Sequence, residues 1–178
     1  MRLELSVAAA FLAAGVVLSG QAPPDARTLA QLKQLFPAAA GFSPKGGEVP
    51  VFKAYAGDPK APSPTVVGYA FYTTELQPLE RAYDGPIKFL VGMDTSGVLT
   101  GIVLVEHKEP FGDFSIETPA FQAQFRNKSV RDAFKVGADI DAIARASVSV
   151  GSSARAIRNS ARRVARTLLT PPGESRQP

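Results

Sequence analysis

The chain has no cysteine and no tryptophan, and His107 is its single histidine. The lack of cysteine excludes disulfide bonds, a thiolate nucleophile, cysteine-ligated iron–sulfur clusters and cysteine zinc sites. A metal site built from several histidines is excluded as well, and we predict no metal site. Any redox chemistry must therefore come from an organic cofactor or from a partner protein.

Long apolar runs are also scarce, and the clearest one, residues 5–18, is shorter than the ~20 residues that span a bilayer. It follows the positive charge of Arg2 and precedes small residues up to Ala22, which is typical of a secretion signal. We predict a signal peptide over 1–22 and a periplasmic protein. An uncleaved anchor or a buried helix is the alternative. The net charge of +4 does not indicate nucleic acid in an exported protein.

Hydrophobic residues make up 45% of the chain, enough for a core, and their spacing predicts the elements. Leucines three residues apart predict a helix over 25–36. Runs rich in β-branched and aromatic residues predict strands at 51–55, 66–74, 87–94 and 98–107. Helical patterns follow from Pro119 and, most clearly, from Gly151, and residues 129–140 mix helix and loop.

This order of elements predicts an α+β domain whose antiparallel sheet contains a central hairpin and is packed by C-terminal helices. The turn of that hairpin is expected at residues 95–97, with a positive φ at Gly97. We divide the chain into an N-terminal helix and loop at 23–50, a main domain at 51–170 and a disordered tail at 171–178. Phe111, Phe121 and Phe125 are expected in the core.

Hydroxyl side chains gather just before the final predicted helix, at Ser147, Ser149, Ser152 and Ser153. The first N–H groups of a helix have no partner within it, and the helix dipole favours an anion there, so this segment could bind a phosphate. Serine is also a favoured N-cap, so helix capping is the alternative interpretation.

The segment from Asp141 to Ser147 resembles the C-terminal signature of the FMN-binding domain of Rnf-type and sodium-pumping NADH:quinone oxidoreductases. It is closer to the periplasmic domain of NosR/NirI-type flavoproteins. The resemblance places Asp141 at the acidic position, Ala146 at the alanine and Ser147 at the hydroxyl that carries FMN through a phosphoester. Ala144 stands where a hydroxyl is usual and Arg145 where glycine is usual. Val148 and Ser149 complete the implied cofactor-binding segment.

Residues 83–112 resemble the central hairpin of the same family, which leads into a His-x-Glu motif at His107 and Glu109. The resemblance implies that the loop from His107 to Gly112 lines the flavin pocket. Glu109 could then fix the His107 tautomer or bind the cofactor. The alternatives are a surface or hydrogen-bonded His107 and a solvated Glu109. Asp84 and Asp94 are expected in turns.

The resemblance implies an electron carrier or redox subunit with FMN as its cofactor, rather than an enzyme with catalytic residues of its own. It also implies redox partner proteins, including a membrane-bound respiratory complex, and a flavin transferase that attaches FMN. One alternative is a flavin-free regulatory or interaction module that keeps the fold. Another is an arginine-rich final helix that docks on anionic lipid or an acidic partner through Arg155, Arg158 and Arg162.

Overall fold

The computed structural model describes residues 22–76 and 78–169, which form a five-stranded antiparallel sheet with helices on both faces. The strands follow chain order across the sheet: β1 (Gly41–Phe42), β2 (Val51–Tyr55), β3 (Val66–Tyr72), β4 (Lys88–Asp94) and β5 (Leu99–Glu106). The helices are α1 (Ala26–Leu35), α2 (Pro119–Ala123) and α3 (Ser147–Leu168), with a 3₁₀ turn at Thr73–Glu75. The predicted α+β class with an antiparallel sheet is confirmed.

The predicted hairpin is formed by β4 and β5, and β5 is the outer strand on that side of the sheet. Asp94 closes the turn because its carboxylate accepts hydrogen bonds from Ser96 and from the Val98 N–H. Burial opposes ionisation of Asp94, but these hydrogen bonds together outweigh it and lower its pKa. Gly97 has φ +83°, as predicted for this turn.

Alternate residues of the strands supply two separate cores, one on each face of the sheet. The larger core includes Phe71, Phe89 and Val91 and is covered by α2, α3 and the loops between them. The α3 stripe of Ala154, Ile157, Ala161 and Val164 is buried there, as the helical spacing predicts. Phe121 and Phe125 are fully buried in the same core, with ring centroids 5.2 Å apart.

Helix α1 covers the opposite face, where it packs against β4 and β5. Its start is capped by Asp25, whose side chain accepts the Thr28 N–H at 2.7 Å. Phe36 follows the helix, and its ring lies so close to Gly68 that an added Cβ would collide with it; at Gly92 an added Cβ would collide with the Thr100 hydroxyl and crowd Leu35 and Phe36. These glycines therefore let the end of α1 approach the sheet closely.

Several element boundaries differ from the sequence predictions. β3 ends at Tyr72 and runs into the 3₁₀ turn, and α3 begins at Ser147, earlier than the clear helical pattern from Gly151. The helix predicted within 129–140 is wrong, since this stretch contains turns and bridges. Asp139 accounts for this, because its carboxylate accepts the N–H groups of Phe134 and Lys135 and thereby holds a turn.

Two predicted segments cannot be compared with the structure. The signal peptide falls, apart from Ala22, outside the described residues, and the predicted disordered tail lies outside them entirely. Within the described part of the chain, no helix combines the length and apolar character that a membrane span requires. No cluster of His, Asp and Glu suited to a metal ion occurs among those residues.

Candidate functional site

The start of α3 has open hydrogen-bond donors. Its N-cap is Ala146, which makes no side-chain cap bond, so the serine-capping interpretation is wrong. The first bond into the helix runs from the Val150 N–H to the Ala146 carbonyl at 2.9 Å. Among described residues, the N–H groups of Ser147, Val148 and Ser149 have no backbone or side-chain acceptor. These groups carry the positive end of a 22-residue helix and are suited to an anion.

The serines near this helix start differ in accessibility. Ser147 is exposed, and its hydroxyl makes no hydrogen bond within the described chain. Ser149 is buried and donates its hydroxyl to Glu109, while Ser152 is buried and donates to the Val148 carbonyl. The buried hydroxyl of Ser153 has no partner among the described residues. Ser147 is therefore the serine whose oxygen a bulky group could reach.

The residues before Ser147 set the direction in which the chain enters the helix. Arg145 has φ +66°, in the left-handed region that favours glycine. Ala146 is buried against the larger core and fixes the helix start to it. Asp141 is exposed, and its N–H donates to the Gln124 side chain at 2.7 Å. The resemblance places glycine at position 145, and the backbone geometry gives the physical reason for that preference.

Glu109 joins three separate segments of the chain. Its carboxylate is buried at 6% exposure, so a solvated side chain is excluded. One oxygen accepts the Ser149 hydroxyl and the Tyr83 N–H, and the other accepts the Asp84 N–H at 2.9 Å. The loop at Tyr83, the loop after β5 and the first turn of α3 are thus held together by one side chain.

His107 closes the loop that follows β5. Its Nδ1 accepts the Glu109 N–H at 3.0 Å, and its Nε2 lies 3.0 Å from a carboxylate oxygen of Glu117. Because Nδ1 is an acceptor, the Nε2 proton faces Glu117. The Glu109 backbone and the Glu117 carboxylate therefore fix the tautomer, rather than the Glu109 carboxylate. Gly112 lies against the imidazole ring, where a Cβ would collide with it.

Large apolar side chains are exposed on the same segments. Tyr83 is 75% exposed, Val148 53%, Phe111 46% and Phe114 44%. The prediction that Phe111 belongs to the core is wrong, since its ring instead pairs with that of Phe114 at a centroid distance of 5.6 Å. Glu109 links the segments that carry these exposed side chains, which makes the segments a candidate binding surface. Hydrophobic periodicity cannot identify such residues because they lie in loops or at a helix start.

A cavity of about 390 Å³ lies beside the Glu109 junction. Asp84, Glu106 and His107 contribute to its wall, together with the basic residues Lys88 and Lys108. Its wall includes neither the exposed apolar side chains nor any residue of α3, so it adjoins the candidate site only through the loops at Asp84 and His107. The exposed apolar side chains and the open N–H groups of α3 suit a ligand that has an apolar ring system and an acidic end.

FMN is a ligand of this kind, with a fused three-ring system at one end and a phosphate at the other. Residues 82–162 match the profile of the FMN-binding domain family. Every predicted cofactor-binding residue, from His107 to Ser149, lies within this span. No curated protein matches the chain. The family match supports FMN as the cofactor and indicates a flavin-binding electron-transfer module. The open N–H groups, the Ser147 hydroxyl and the exposed apolar side chains fit that cofactor.

The arginines of α3 largely bind the chain itself. Arg155 pairs with Glu80 at 3.1 Å, and Arg158 contacts the Ala133 carbonyl at 3.4 Å. Arg162 donates to the backbone carbonyls of Val130 and Asp132, each at 2.8 Å. Replacing these three arginines would therefore disturb neighbouring loops as well as surface charge.

The left-handed backbone at Arg145 leads to a stability prediction. A non-glycine residue there costs ~1–2 kcal/mol, and glycine loses about 0.5–1 kcal/mol more conformational entropy on folding. We expect Arg145→Gly to raise the free energy of unfolding by about 0.5–1 kcal/mol in denaturant titrations. Arg145→Ala is the control, because it removes the charge and keeps the strain. Equal effects of the two substitutions would contradict this explanation.

Proposed function

We propose that this chain is an exported electron carrier or redox subunit in which the FMN phosphate is esterified to Ser147. Its role is that of the periplasmic flavin domain of NosR/NirI-type respiratory proteins. The observation that carries the proposal is the exposed Ser147 hydroxyl at an uncapped helix start within the family match. The other serines nearby are buried, and those at 149 and 152 already donate hydrogen bonds.

The chain's own groups bind and orient the phosphate end. The N–H groups of Ser147, Val148 and Ser149 donate to phosphate oxygens, and the helix dipole adds to their attraction. Arg145, immediately before the N-cap, provides positive charge near the same oxygens. Attachment at a serine oxygen keeps a cofactor that dilution outside the cytoplasm would otherwise remove.

The apolar side chains and the Glu109 junction position the ring end. Tyr83, Phe111 and Val148 offer apolar contact surface on segments that Glu109 holds together. His107 keeps the loop after β5 closed through Glu109 and Glu117. Bound FMN supplies reversible uptake and release of electrons. An exposed binding surface leaves it open to redox partners, for which we propose components of a membrane-bound respiratory chain.

Attachment requires a separate flavin transferase with FAD as donor. The Ser147 oxygen forms a bond to the FMN-side phosphorus of FAD, and the pyrophosphate bond to AMP breaks. The serine proton passes to a base of the transferase, and AMP leaves. The open start of α3 presents the serine oxygen to that enzyme. Arg145 stands beside the acceptor in place of a small residue, which is the observation that favours the flavin-free module.

The proposal is tested by expressing the full chain with its N-terminus, with and without a flavin transferase. We expect a yellow periplasmic protein whose intact mass includes one FMN moiety only when the transferase is present. Absorption spectra and mass spectrometry of the periplasmic fraction provide the readouts. A colourless protein without added mass, despite modification of a known FMN-binding domain in the same cells, would instead support the flavin-free module.

A further inference from the structure

A second cavity lies on the face of the sheet opposite α3, between the end of α1 and β5. Its volume is about 450 Å³, within the ~300–1,000 Å³ range of small-molecule sites. Its wall is mostly apolar and includes Leu35, Phe36 and Val67. Leu35 and Phe36 belong to the smaller core, which the sheet separates from the core under α3. The cavity is therefore distinct from the proposed flavin site.

Much of this cavity is built by residues outside the family match. The segment Leu35–Ala39, with Ala56 and Val67, precedes residue 82, where the match begins. Thr100, Arg126 and Asn127 close the wall from within the matched region. The cavity thus depends on how the N-terminal helix of this chain lies on the sheet, and a flavin-binding role does not account for it.

Arg126 gives the cavity a positive rim. Its side chain is exposed and forms no ion pair or hydrogen bond within the described chain. It lines both this cavity and an adjoining one of about 280 Å³, which also contains Leu35 and Gln122. No Asp or Glu contributes to either wall. Arg155 differs in this respect, because its charge is already matched by Glu80.

Thr100 adds a polar group to the apolar wall. Its Oγ1 is shielded from solvent and has no hydrogen-bond partner among the described residues. The same packing, against Gly92 and beneath Leu35, keeps this oxygen from an occupant of the cavity, so it offers a ligand no hydrogen bond. The apolar wall and the unpaired guanidinium of Arg126 together select a ligand with an apolar body and an anionic end.

We propose that this cavity binds a small amphipathic carboxylate. The apolar body of the ligand lies against Leu35, Phe36 and Val67, and the carboxylate is held by Arg126 at the rim. A neutral ligand of the same length loses the attraction of the guanidinium, and a cationic ligand is repelled by it. This site is independent of flavin attachment at Ser147, because the two lie on opposite faces of the sheet.

The test uses the full chain and three eight-carbon probes: octanoate, 1-octanol and octylammonium. We expect calorimetry to show that octanoate binds about fivefold more tightly than 1-octanol, with octylammonium weakest, since a part-exposed charge pair contributes modestly. Arg126→Gln should remove the preference for octanoate. Arg131→Gln is the matched control, since Arg131 is exposed and lies outside both cavities.

A second variant tests the apolar part of the site. Ala38 is exposed and lines the cavity, so Ala38→Phe should reduce the binding of all three probes without unfolding the protein, as circular dichroism would verify. The proposal is overturned if octanoate does not bind, or if Arg126→Gln leaves its preference unchanged. It is also overturned if Arg131→Gln weakens octanoate as much as Arg126→Gln does, since general surface charge would then explain binding.

Discussion

Ser147→Ala is expected to abolish the covalent gain of FMN when the chain is expressed with a flavin transferase. Alanine removes the oxygen that would form the phosphoester, while the backbone and the open N–H groups of α3 remain. Because Ser147 is exposed and its hydroxyl bonds to no described residue, the substitution should change the free energy of unfolding by less than about 0.5 kcal/mol. Intact mass and absorption spectra measure the loss.

Two variants distinguish Ser147 from its neighbour. Ser147→Thr keeps an oxygen at the same place and should retain the added mass. Ser149→Ala should also retain it, because the Ser149 hydroxyl is buried and already donates to Glu109. That variant should lose about 1–2 kcal/mol of stability instead, since the buried carboxylate loses a donor. Added mass that survives Ser147→Ala and disappears in Ser149→Ala would place the anchor at Ser149.

Glu109→Ala is expected to lower the free energy of unfolding by about 3–5 kcal/mol, which corresponds to a fall in Tm of roughly 10 °C. The substitution leaves the N–H groups of Tyr83 and Asp84 and the Ser149 hydroxyl without their acceptor. Each such group costs about 1–3 kcal/mol where it is kept from water. Thermal and denaturant unfolding of the unmodified protein measure the effect without involving flavin.

Glu109→Gln is the control for this effect. If its amide oxygen takes the place of the oxygen that the Tyr83 N–H and the Ser149 hydroxyl share, both of those bonds remain and only the Asp84 N–H loses its acceptor. We therefore expect a loss of about 1–2 kcal/mol. If Glu109→Ala were as stable as the wild-type chain, the carboxylate would not be the link between the three segments. Equal losses of stability in the two variants would show that the acceptor oxygen which glutamine retains contributes little to the free energy of unfolding.

Regular elements were predictable because their signals are local. The α3 stripe from Ala154 to Val164 follows from spacing along one helix, and the β4–β5 hairpin follows from two β-prone runs with Gly97 in the turn. The end of α1 was also close to its prediction, at Leu35 rather than residue 36. In each case the residues that set the structure are near neighbours in sequence.

Some features were predicted wrongly or not predicted at all, because of one contact between distant segments and of local bonding within loops that hydrophobic spacing does not reveal. The bond between Glu109 and Ser149 joins residues 40 positions apart, so local sequence did not indicate that Glu109 is buried. Phe111 has a large apolar side chain typical of a core, yet its loop holds the ring at the surface against Phe114. The turn at Asp139 prevents the helix expected before residue 140, because its carboxylate competes for backbone N–H groups.

The candidate site was located from the family resemblance rather than from physical patterns. From residue type alone, the serines before the predicted helix favoured a serine N-cap, but the structure places Ala146 at that position. The preference for glycine at position 145 acquires a cause only from the φ of +66° in the folded chain. The unpaired Arg126 and the cavity beneath it had no sequence signal, since α1 and the residues after α2 meet there only in the folded chain.

The loop at Tyr83 and the beginning of α3 are energetically coupled, because both form hydrogen bonds to the Glu109 carboxylate. If a protein docked on the exposed Tyr83 ring and moved its loop, the Glu109 carboxylate that accepts the Asp84 N–H would move too. The hydrogen bond from the Ser149 hydroxyl to that carboxylate, in the first turn of α3, would then change in strength. By reciprocity, a ligand bound at the helix start and a protein bound at Tyr83 would change each other's binding affinity by the same factor.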